Sequence, residues 1–523
     1  MDPEQNNSEL DLDAIVQEFS SKPKAANPGP EPDLIAVNPS RPQSAPTAEE
    51  PAPVFAPKKE RSRPARQPRA EAPSESQPPV RRQRHKKTKG EVFRETYLPV
   101  LWIIGAILGI ICIIVGITNL RSNPETPQVP MIPADTQNHN GEPASGDAAD
   151  VLASAQVLAS HYDYAGALDL LNRYTGNTAD VTGWNEAIST FTSAQEALVA
   201  WTDVSAVPHI SFQPLIADTS LAWDGDGKSG SFASNNLSTS EFSAILQQLY
   251  EGGYVLVSLH DLIVEEGNTM TAGEILLPED KKPLIISQVP THYDDSMEGN
   301  GFATRLVIGT DGKPTCEMIN SSGATVTGDY DLVPILDAFV EAHPDFSYHG
   351  AKAILAVNGE DGIFGYATGA DDAESDPGAY AAAVENASKV AQCLLEDGYE
   401  FASFTYATVA YGSADTTTVT DDSDTWAENV LPILGECDIL IFPQGTDLTT
   451  KDKDYSGSKF RSLYNDGFRY FISMDNDRES WGSLNDKYFR QARRTVNGKR
   501  VTGSADSFTG LFDATAIVSP DRP

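Results

Sequence analysis

The chain has 523 residues, of which 40% are apolar and 22% are charged, and its net charge at pH 7 is −37. A chain of this length can form two or three domains with a sizeable core. Most of the acidic residues follow residue 122. Their negative charge argues against nucleic acid or an anionic lipid surface as a partner of that region, and we expect it to favour solubility.

The first 120 residues divide into a tail and an apolar segment. Residues 1–95 are rich in Pro, Ala, Ser, Glu and Arg and hold few aromatic residues. That composition buries too little apolar surface to offset chain entropy, so it predicts a disordered tail.

Residues 97–120, YLPVLWIIGAILGIICIIVGITNL, carry no charge. At about 1.5 Å per residue they match the hydrocarbon core of a bilayer and predict a transmembrane helix.

The charges beside this segment predict its orientation. The run RRQRHKKTKG precedes it, whereas Arg121 is the basic residue that follows before the acidic residues begin. The positive-inside rule therefore predicts a single-pass protein of the cell membrane, with a cytoplasmic N-terminus and an extracytoplasmic C-terminal domain.

Gly105 and Gly109 would allow two such helices to form a homodimer, although glycine is common in membrane helices generally. The sparse cysteines favour a Gram-positive bacterial surface.

Two further segments precede the main domain. Residues 121–147 are rich in Pro and Asn and predict an extended linker. Residues 148–203 carry apolar residues at helical spacing, which predicts a short helical hairpin. We expect this hairpin to be a spacer that lifts the following domain off the membrane.

From residue 204 the sequence alternates between helical and strand patterns. Ser238 and Glu241 form a predicted capping box that begins an amphipathic helix, and a glycine and a strand follow that helix. The same order of helix, glycine, aromatic residue and strand recurs around Gly398 and Gly467. Repeated joints of this kind favour parallel strands with right-handed crossovers.

Short apolar runs predict the remaining strands, namely ISFQPLIA, KPLIISQV, AKAILAVN and DILIFPQ. With the three strands that follow the glycine joints, this makes about seven. The segment GFATRLVIGTDGKPTCEMI alternates instead around Asp311 and Gly312, which predicts an inserted β-hairpin. The predicted fold class is α/β, a parallel sheet with outer helices that can close into a barrel.

An ordered series of segments resembles the membrane-anchored bacterial polysaccharide deacetylases of carbohydrate esterase family 4. The segments are HISFQPLIADTSLAW, EFSAILQQLYEGGYVLVSLHDL, KPLIISQVPTHYDDSM, GFATRLVI, NGEDGIFGYAT, GYEFASFTYATVAYG, DTWAENVLPILGECDILIFPQG and LFDATAIVSPDRP. The resemblance covers residues 204–523 and implies a distorted (β/α) barrel of about seven strands. It also implies a cell-wall glycan, such as peptidoglycan, as the substrate class, and a divalent metal such as zinc in active members.

The family's reaction removes an acetyl group from an N-acetylated sugar. It needs a metal-bound water as nucleophile, a carboxylate as base, and the metal to stabilise the oxyanion. The first family motif, Ser, apolar, Asp, Asp, corresponds here to Ser287, Gln288, Val289 and Pro290. Both carboxylates of that motif are therefore absent.

The second family motif also departs from the pattern. It ordinarily runs Ser-His-Thr, two residues, His, and the segment here keeps Ser403 and Thr405. Phe404 and Thr408 stand where the two imidazoles belong. Neither a hydrocarbon ring nor a neutral hydroxyl replaces imidazole as a ligand of a divalent metal. The resemblance thus implies a degenerate site without a metal cofactor.

The third motif and the neighbouring aromatic residues predict that a cleft remains. The segment Phe442, Pro443, Gln444 and Gly445 keeps the proline and glycine that shape the family's substrate pocket. Gln213 replaces a histidine that is usual in the first segment. Aromatic side chains present apolar faces with a polar handle, and four residues here are candidates for stacking on sugars or for the core. They are Phe404, Tyr406, Tyr411 and Trp426.

We therefore expect a pseudoenzyme that binds wall glycan or an assembly partner without turnover. The alternative is an active deacetylase or hydrolase with a relocated site at His292, Asp294 and Asp295, which directly follow the first motif. A solvated polar loop is the simpler interpretation of these three residues. A third hypothesis assigns the function to the basic cytoplasmic tail, with the C-terminal domain as an anchor.

Overall fold

A computed structural model describes residues 146–477 and 479–523. The predicted tail 1–95, the predicted span 97–120 and nearly all of the linker 121–147 lie outside the described residues. Every helix in the described part falls short of the length and apolarity that crossing a bilayer requires.

Helices and strands alternate along most of the described chain. The helices are α1 (Ala148–Ser160), α2 (Tyr164–Arg173), α3 (Trp184–Glu196), α4 (Thr219–Ala222), α5 (Ser229–Asn235), α6 (Thr239–Glu251), α7 (Leu259–Leu262), α8 (Leu332–Ala342), α9 (Ala370–Ser375), α10 (Pro377–Glu396), α11 (Thr416–Asn429), α12 (Leu431–Leu434), α13 (Gly457–Asn465), α14 (Gly498–Gly503) and α15 (Ala514–Ile517). The strands are β1 (Val199–Trp201), β2 (His209–Phe212), β3 (Tyr254–Leu256), β4 (Ile263–Glu266), β5 (Thr269–Ala272), β6 (Ile275–Leu277), β7 (Lys282–Gln288), β8 (Ala303–Ile308), β9 (Pro314–Ile319), β10 (Thr325–Gly328), β11 (Ala353–Val357), β12 (Glu400–Ser403), β13 (Ile439–Ile441), β14 (Tyr470–Met474), β15 (Gly482–Asn485) and β16 (Tyr488–Thr495).

The first three helices pack in sequence on one another. Their contact is a small apolar cluster that includes Ala155, Ala167, Leu171 and Trp184. Small alanines at the contact let the helix backbones approach closely, and the tryptophan fills the space that remains. This packing gives residues 148–196 a hydrophobic core separate from that of the barrel.

Seven parallel strands form a closed barrel. In order they are β2, β7, β11, β12, β13, β14 and β16, and β16 pairs back with β2. The expected α/β barrel is therefore present. Strand β3 pairs with the first part of β7 outside the ring, and β15 lies antiparallel to β16.

The membership of the barrel differs from the prediction by one strand. The run YVL, which forms β3, is one of the seven predicted strands but lies outside the closed ring. Strand β16 belongs to the ring and is absent from the prediction. Strand β16 reads YFRQARRT, a polar sequence without the apolar pattern of a buried strand. All but its last residue are nevertheless buried, and Arg490, Gln491 and Arg494 donate hydrogen bonds to backbone carbonyls inside the protein.

The local turn predictions are confirmed. Ser238 and Glu241 form a capping box at the start of α6. Gly398 joins α10 to β12 with φ of +91°, and a Cβ there would lie 2.0 Å from the carbonyl oxygen of Gly350. A side chain at this position would therefore clash, which explains the glycine. The hairpin around Gly312 is also present, with β8 antiparallel to β9.

Alternate side chains of the barrel strands face two different cores. One set fills the barrel interior and includes Ile285, Ile354, Ile441 and Ile472. The other set, which includes Leu284, Leu355, Leu440 and Phe471, packs under the outer helices. This alternation follows from the two-residue period of a strand.

A charged cluster lies at the amino-terminal end of the barrel strands. His260, in α7, places Nδ1 2.5 Å from Oε1 of Glu400 and Nε2 3.0 Å from Oδ1 of Asp438. Burial alone would lower the pKa of His260, but the hydrogen bonds to Asp438 and Glu400 outweigh it and raise the pKa to about 10. Polar clusters at this end of a barrel usually serve stability.

This cluster predicts a pH-dependent contribution to stability. Because the pKa of His260 is higher in the folded chain than the ordinary value of 6.5, the contribution is complete below pH 6.5 and is lost as the pH rises towards 10. The side chain is 48% exposed, so we expect His260→Gln to cost only about 1 kcal/mol at pH 6. Urea denaturation at pH 6 and pH 10.5 measures the difference, and an equal loss at both pH values would contradict this assignment.

Candidate binding site at the carboxyl ends of the barrel strands

The segments that follow the barrel strands surround the end where ligands bind in α/β barrels. Ser287 and Val289 point into the barrel from the end of β7, whereas Gln288 points outward. The hydroxyl of Ser287 lies 2.8 Å from Nε2 of His209. Val289 belongs to the apolar cluster of the interior, and Pro290 is half-buried. The two positions where the resemblance places a pair of aspartates therefore carry the apolar side chains of Val289 and Pro290.

One buried carboxylate lies behind this segment. Gln288 donates from Nε2 to both oxygens of Asp331 at 2.9 and 2.8 Å, and Tyr293 donates its hydroxyl at 2.7 Å. The backbone N–H of Leu215 is a further donor at 2.9 Å. Burial raises the pKa of Asp331 although these donors oppose the shift. Asp331 is therefore engaged by hydrogen bonds from Leu215, Gln288 and Tyr293 and is poorly placed to act as a base.

The second segment is folded around its own hydroxyl groups. Ser403 accepts a hydrogen bond from the N–H of Thr405 at 3.1 Å, and Oγ1 of Thr405 accepts one from the N–H of Val409 at 2.8 Å. Phe404 lies in the same apolar interior cluster as Val289. Thr408 is exposed. Val289 and Phe404 thus belong to the same buried apolar cluster, and Thr408 lies outside it.

Three of the four aromatic candidates are core residues. The Trp426 indole donates from Nε1 to the carbonyl of Val357 at 3.1 Å, and the Tyr411 hydroxyl donates to Asp422 at 2.8 Å. Both rings and that of Phe404 are buried. Tyr406 is half-buried, and its hydroxyl accepts a hydrogen bond from the N–H of Ala370 at 3.3 Å. Tyr406 is therefore the one of these four rings with a partly exposed face.

The third segment follows β13. Phe442 points outward and stacks on Phe471, with 6.3 Å between the ring centroids. Pro443 is buried. Gly445 has φ of +69°, and a Cβ there would lie 2.3 Å from Cβ of Met474. The glycine therefore permits a close approach of two strand ends at the mouth of the barrel, which is the end formed by the carboxyl ends of its strands.

The proposed relocated site is only partly assembled. Nε2 of His292 lies 3.9 Å from Oδ2 of Asp294, and the His292 side chain is 12% exposed. Nδ1 of His292 has no hydrogen-bond partner within the described part of the chain. Asp295 is exposed, and Asp294 accepts a hydrogen bond from the N–H of Ser296 at 2.6 Å. These contacts join one histidine to one carboxylate.

The donors at the strand ends do not suit a divalent metal. Zinc takes imidazole, thiolate or carboxylate ligands, and Val289, Pro290 and Phe404 supply none of these. Across residues 146–477 and 479–523, no group of three or more His, Cys, Asp or Glu residues has the arrangement of a metal site.

A polar network inside the barrel was missed by sequence reasoning. Nε2 of Gln491 donates to the carbonyl of Val207, so its Oε1 accepts from Nδ1–H of His209 at 3.0 Å. Nε2 of His209 is then free to accept the hydroxyl of Ser287. Burial lowers the pKa of His209 to about 3, so its imidazole is neutral. The pairs are 282 and 78 residues apart in the chain, and no local spacing indicates such contacts.

The structure is therefore a closed α/β barrel whose interior is mostly apolar and contains a small polar network of His209, Ser287 and Gln491. No family model matches the chain, and no curated protein matches it. Among solved structures, the chain is similar to the Streptococcus pyogenes deacetylase PplD in complex with acetate, with 12% identity and a TM-score of 0.30. The match covers 58% of this chain and 94% of that one. At this TM-score we draw no argument from the likeness, and the barrel is established by its own strand pairing.

Proposed function

We propose that this chain is a deacetylase-like barrel protein that binds a cell-wall glycan or an assembly partner at its mouth without hydrolysing an amide. The observation that carries the proposal is that Val289 and Phe404 are both buried in the apolar cluster of the barrel interior. Val289 stands where the resemblance places a carboxylate, and Phe404 stands where it places an imidazole. The resemblance of residues 204–523 supports the family expectation, and the closed barrel is consistent with it.

Two titratable groups, His209 inside the barrel and Asp331 outside it, are unsuited to act as a general base. A general base must be able to take a proton near neutral pH and must reach the reacting water. His209 has a pKa lowered to about 3 by burial, and its ring nitrogens face Ser287 and Gln491. Asp331 is surrounded by donors on the outer side of the barrel. Neither group is placed to activate water at the mouth.

We place the barrel outside the cell membrane, held by the predicted span 97–120. The charge asymmetry around that segment supports the orientation. A tethered barrel facing the wall would meet glycan at high local concentration, so even weak binding through a partly exposed ring such as Tyr406 would be useful.

A metal and turnover assay on the purified full-length chain tests the proposal. We expect no stoichiometric zinc after incubation with zinc and desalting, and no acetate release from N-acetylated chitooligosaccharide or peptidoglycan. We expect retention on immobilised wall glycan, with Tyr406→Ala weakening it by about 1 kcal/mol if the ring stacks on sugar. Stoichiometric zinc together with acetate release would overturn the proposal.

The alternative function is hydrolysis at His292 and Asp294. The observation in its favour is the 3.9 Å approach of these two side chains, with Nδ1 of His292 buried and unpartnered in the described chain. If acetate is released, His292→Ala and Asp294→Asn decide the matter, because both would abolish turnover at a relocated site. Asp295→Asn is the matched control, since Asp295 is exposed.

A further inference from the structure

An arginine in the barrel interior has no acidic partner within residues 146–477 and 479–523. Arg493 is 5% exposed and points inward from β16. Its Nη1 lies 3.3 Å from Oγ of Ser211 and 3.3 Å from Oγ1 of Thr495, and its Nη2 lies 3.4 Å from the carbonyl oxygen of Phe442. Nε has no hydrogen-bond partner among the described residues. All three contacts are long for a charged donor, and all three acceptors are neutral.

The charge of Arg493 is nevertheless retained. Burial lowers its pKa to about 10, so the guanidinium remains protonated at neutral pH. Removing an ion from water costs more than long hydrogen bonds to neutral groups return, and buried charges in proteins are therefore normally paired. Within the described chain, Arg493 has no salt bridge and a carboxylate does not contribute to its pKa shift.

Another arginine of the same strand shows the usual arrangement. Arg490 is as deeply buried but points to the outer side of the barrel, where Nη2 lies 2.7 Å from Oδ2 of Asp447. Its Nη1 donates to the carbonyl of Lys453 at 2.7 Å. Arg490 thus has a carboxylate partner on the outer side of the barrel, whereas the acceptors of Arg493 in the interior are neutral.

The guanidinium lies near the carboxyl ends of three strands. Arg493 is two residues from the end of β16, Ser211 is next to last in β2, and Phe442 directly follows β13. Met474 and Thr495, which are half-buried, adjoin it on the side of the mouth, where Thr495 directs its hydroxyl to the sulfur of Met474 at 3.2 Å. A thioether is a weak acceptor, so this hydroxyl can turn to a better one.

We infer that Arg493, with the hydroxyls of Ser211 and Thr495, forms a binding site for the carboxylate group of a ligand. The fork of Nη1 and Nη2 matches the two oxygens of a carboxylate, and the hydroxyls can donate to the same oxygens. One guanidinium neutralises a monoanion, whereas sulfate or a phosphate dianion would leave a buried negative charge in an already acidic protein. The carboxylate belongs to a small free acid or to an acidic sugar.

Titration of the full-length chain in a chloride-poor buffer tests this site. We expect acetate and glucuronate, but not the neutral sugar N-acetylglucosamine, to raise the midpoint of thermal unfolding in a saturable way, because a ligand that binds the folded chain stabilises it. Calorimetric titration then gives the affinity. Binding of both acids indicates a site open to acidic sugars, and binding of acetate alone indicates a small free acid.

Three variants separate the site from general effects. Arg493→Met should abolish the carboxylate-dependent shift, and Arg493→Lys, which keeps the charge without the fork, should weaken the affinity by at least about tenfold. Arg493→Met should also fold, because an apolar side chain replaces an uncompensated ion. The matched control Arg490→Met should keep the carboxylate-dependent shift despite a lower starting midpoint. An equal shift in wild type and Arg493→Met, a preference for sulfate, or no carboxylate effect in wild type would overturn the inference.

Discussion

Replacing Arg522 by alanine is expected to lower the free energy of unfolding by about 3–5 kcal/mol. The Arg522 side chain is 3% exposed, and its guanidinium forms a buried ion pair with Glu241, which is 1% exposed. Nε of Arg522 donates to Oε1 of Glu241 at 2.8 Å, and Nη2 donates to the carbonyl of Asn236 at 3.1 Å. Loss of the arginine would leave a buried carboxylate without its counter-ion.

The effect should depend on pH. Burial raises the pKa of Glu241, but the hydrogen bond from Arg522 and the backbone donors Ser238 and Ser519 lower it below its ordinary value overall. The pair therefore stabilises the wild-type chain above about pH 4.5, and this contribution is lost as the pH falls through the folded pKa. In the variant the carboxyl can protonate, so the loss relative to wild type should be smaller at pH 4 than at pH 7.5.

Urea denaturation of the full-length chain at the two pH values measures this difference. Arg461→Ala is the matched control, because Arg461 is exposed and such substitutions usually change stability by less than about 0.5 kcal/mol. A loss below about 1 kcal/mol for Arg522→Ala would mean that water reaches Glu241 and that the pair behaves as a surface salt bridge.

The capping box and the glycine joint show what sequence can predict. Ser238, Glu241 and Gly398 each act within a few residues of their own position, so their chemistry is legible in the chain. The second function of Glu241 was not legible, because its partner Arg522 lies 281 residues away. The local sequence therefore predicts where α6 begins, but it does not predict the buried ion pair between Glu241 and Arg522.

Strand β16 shows why part of the barrel and its polar interior were missed. A buried parallel strand usually reads as an apolar run, and Arg490, Gln491 and Arg493 contradict that pattern. Each becomes interpretable only through a distant partner or the lack of one, such as Asp447 for Arg490. The apolar residues at two strand ends could be read from the sequence instead, because the side chains of Val289 and Phe404 carry no metal-ligating atom.

Placing a carboxylate directly after β7 is expected to destabilise the chain. Val289→Asp should lower the free energy of unfolding at pH 7.5 by about 3–5 kcal/mol, since a carboxylate would enter the apolar interior without a partner. Val289 is buried among hydrocarbon side chains, and Phe404 belongs to the same cluster. Burial would raise the pKa of the new carboxyl, so the loss should shrink towards pH 4.

Val289→Thr is the matched control for this substitution. It has nearly the shape of valine and adds one hydroxyl, so it should cost about 1–3 kcal/mol at both pH values if the hydroxyl finds no partner. Urea denaturation of the three chains at pH 7.5 and pH 4 gives the comparison. If Val289→Asp is tolerated as well as Val289→Thr at pH 7.5, water already reaches the strand end. The mouth would then be a hydrated pocket that can hold charged side chains, and the proposal of a non-catalytic barrel would lose its physical basis.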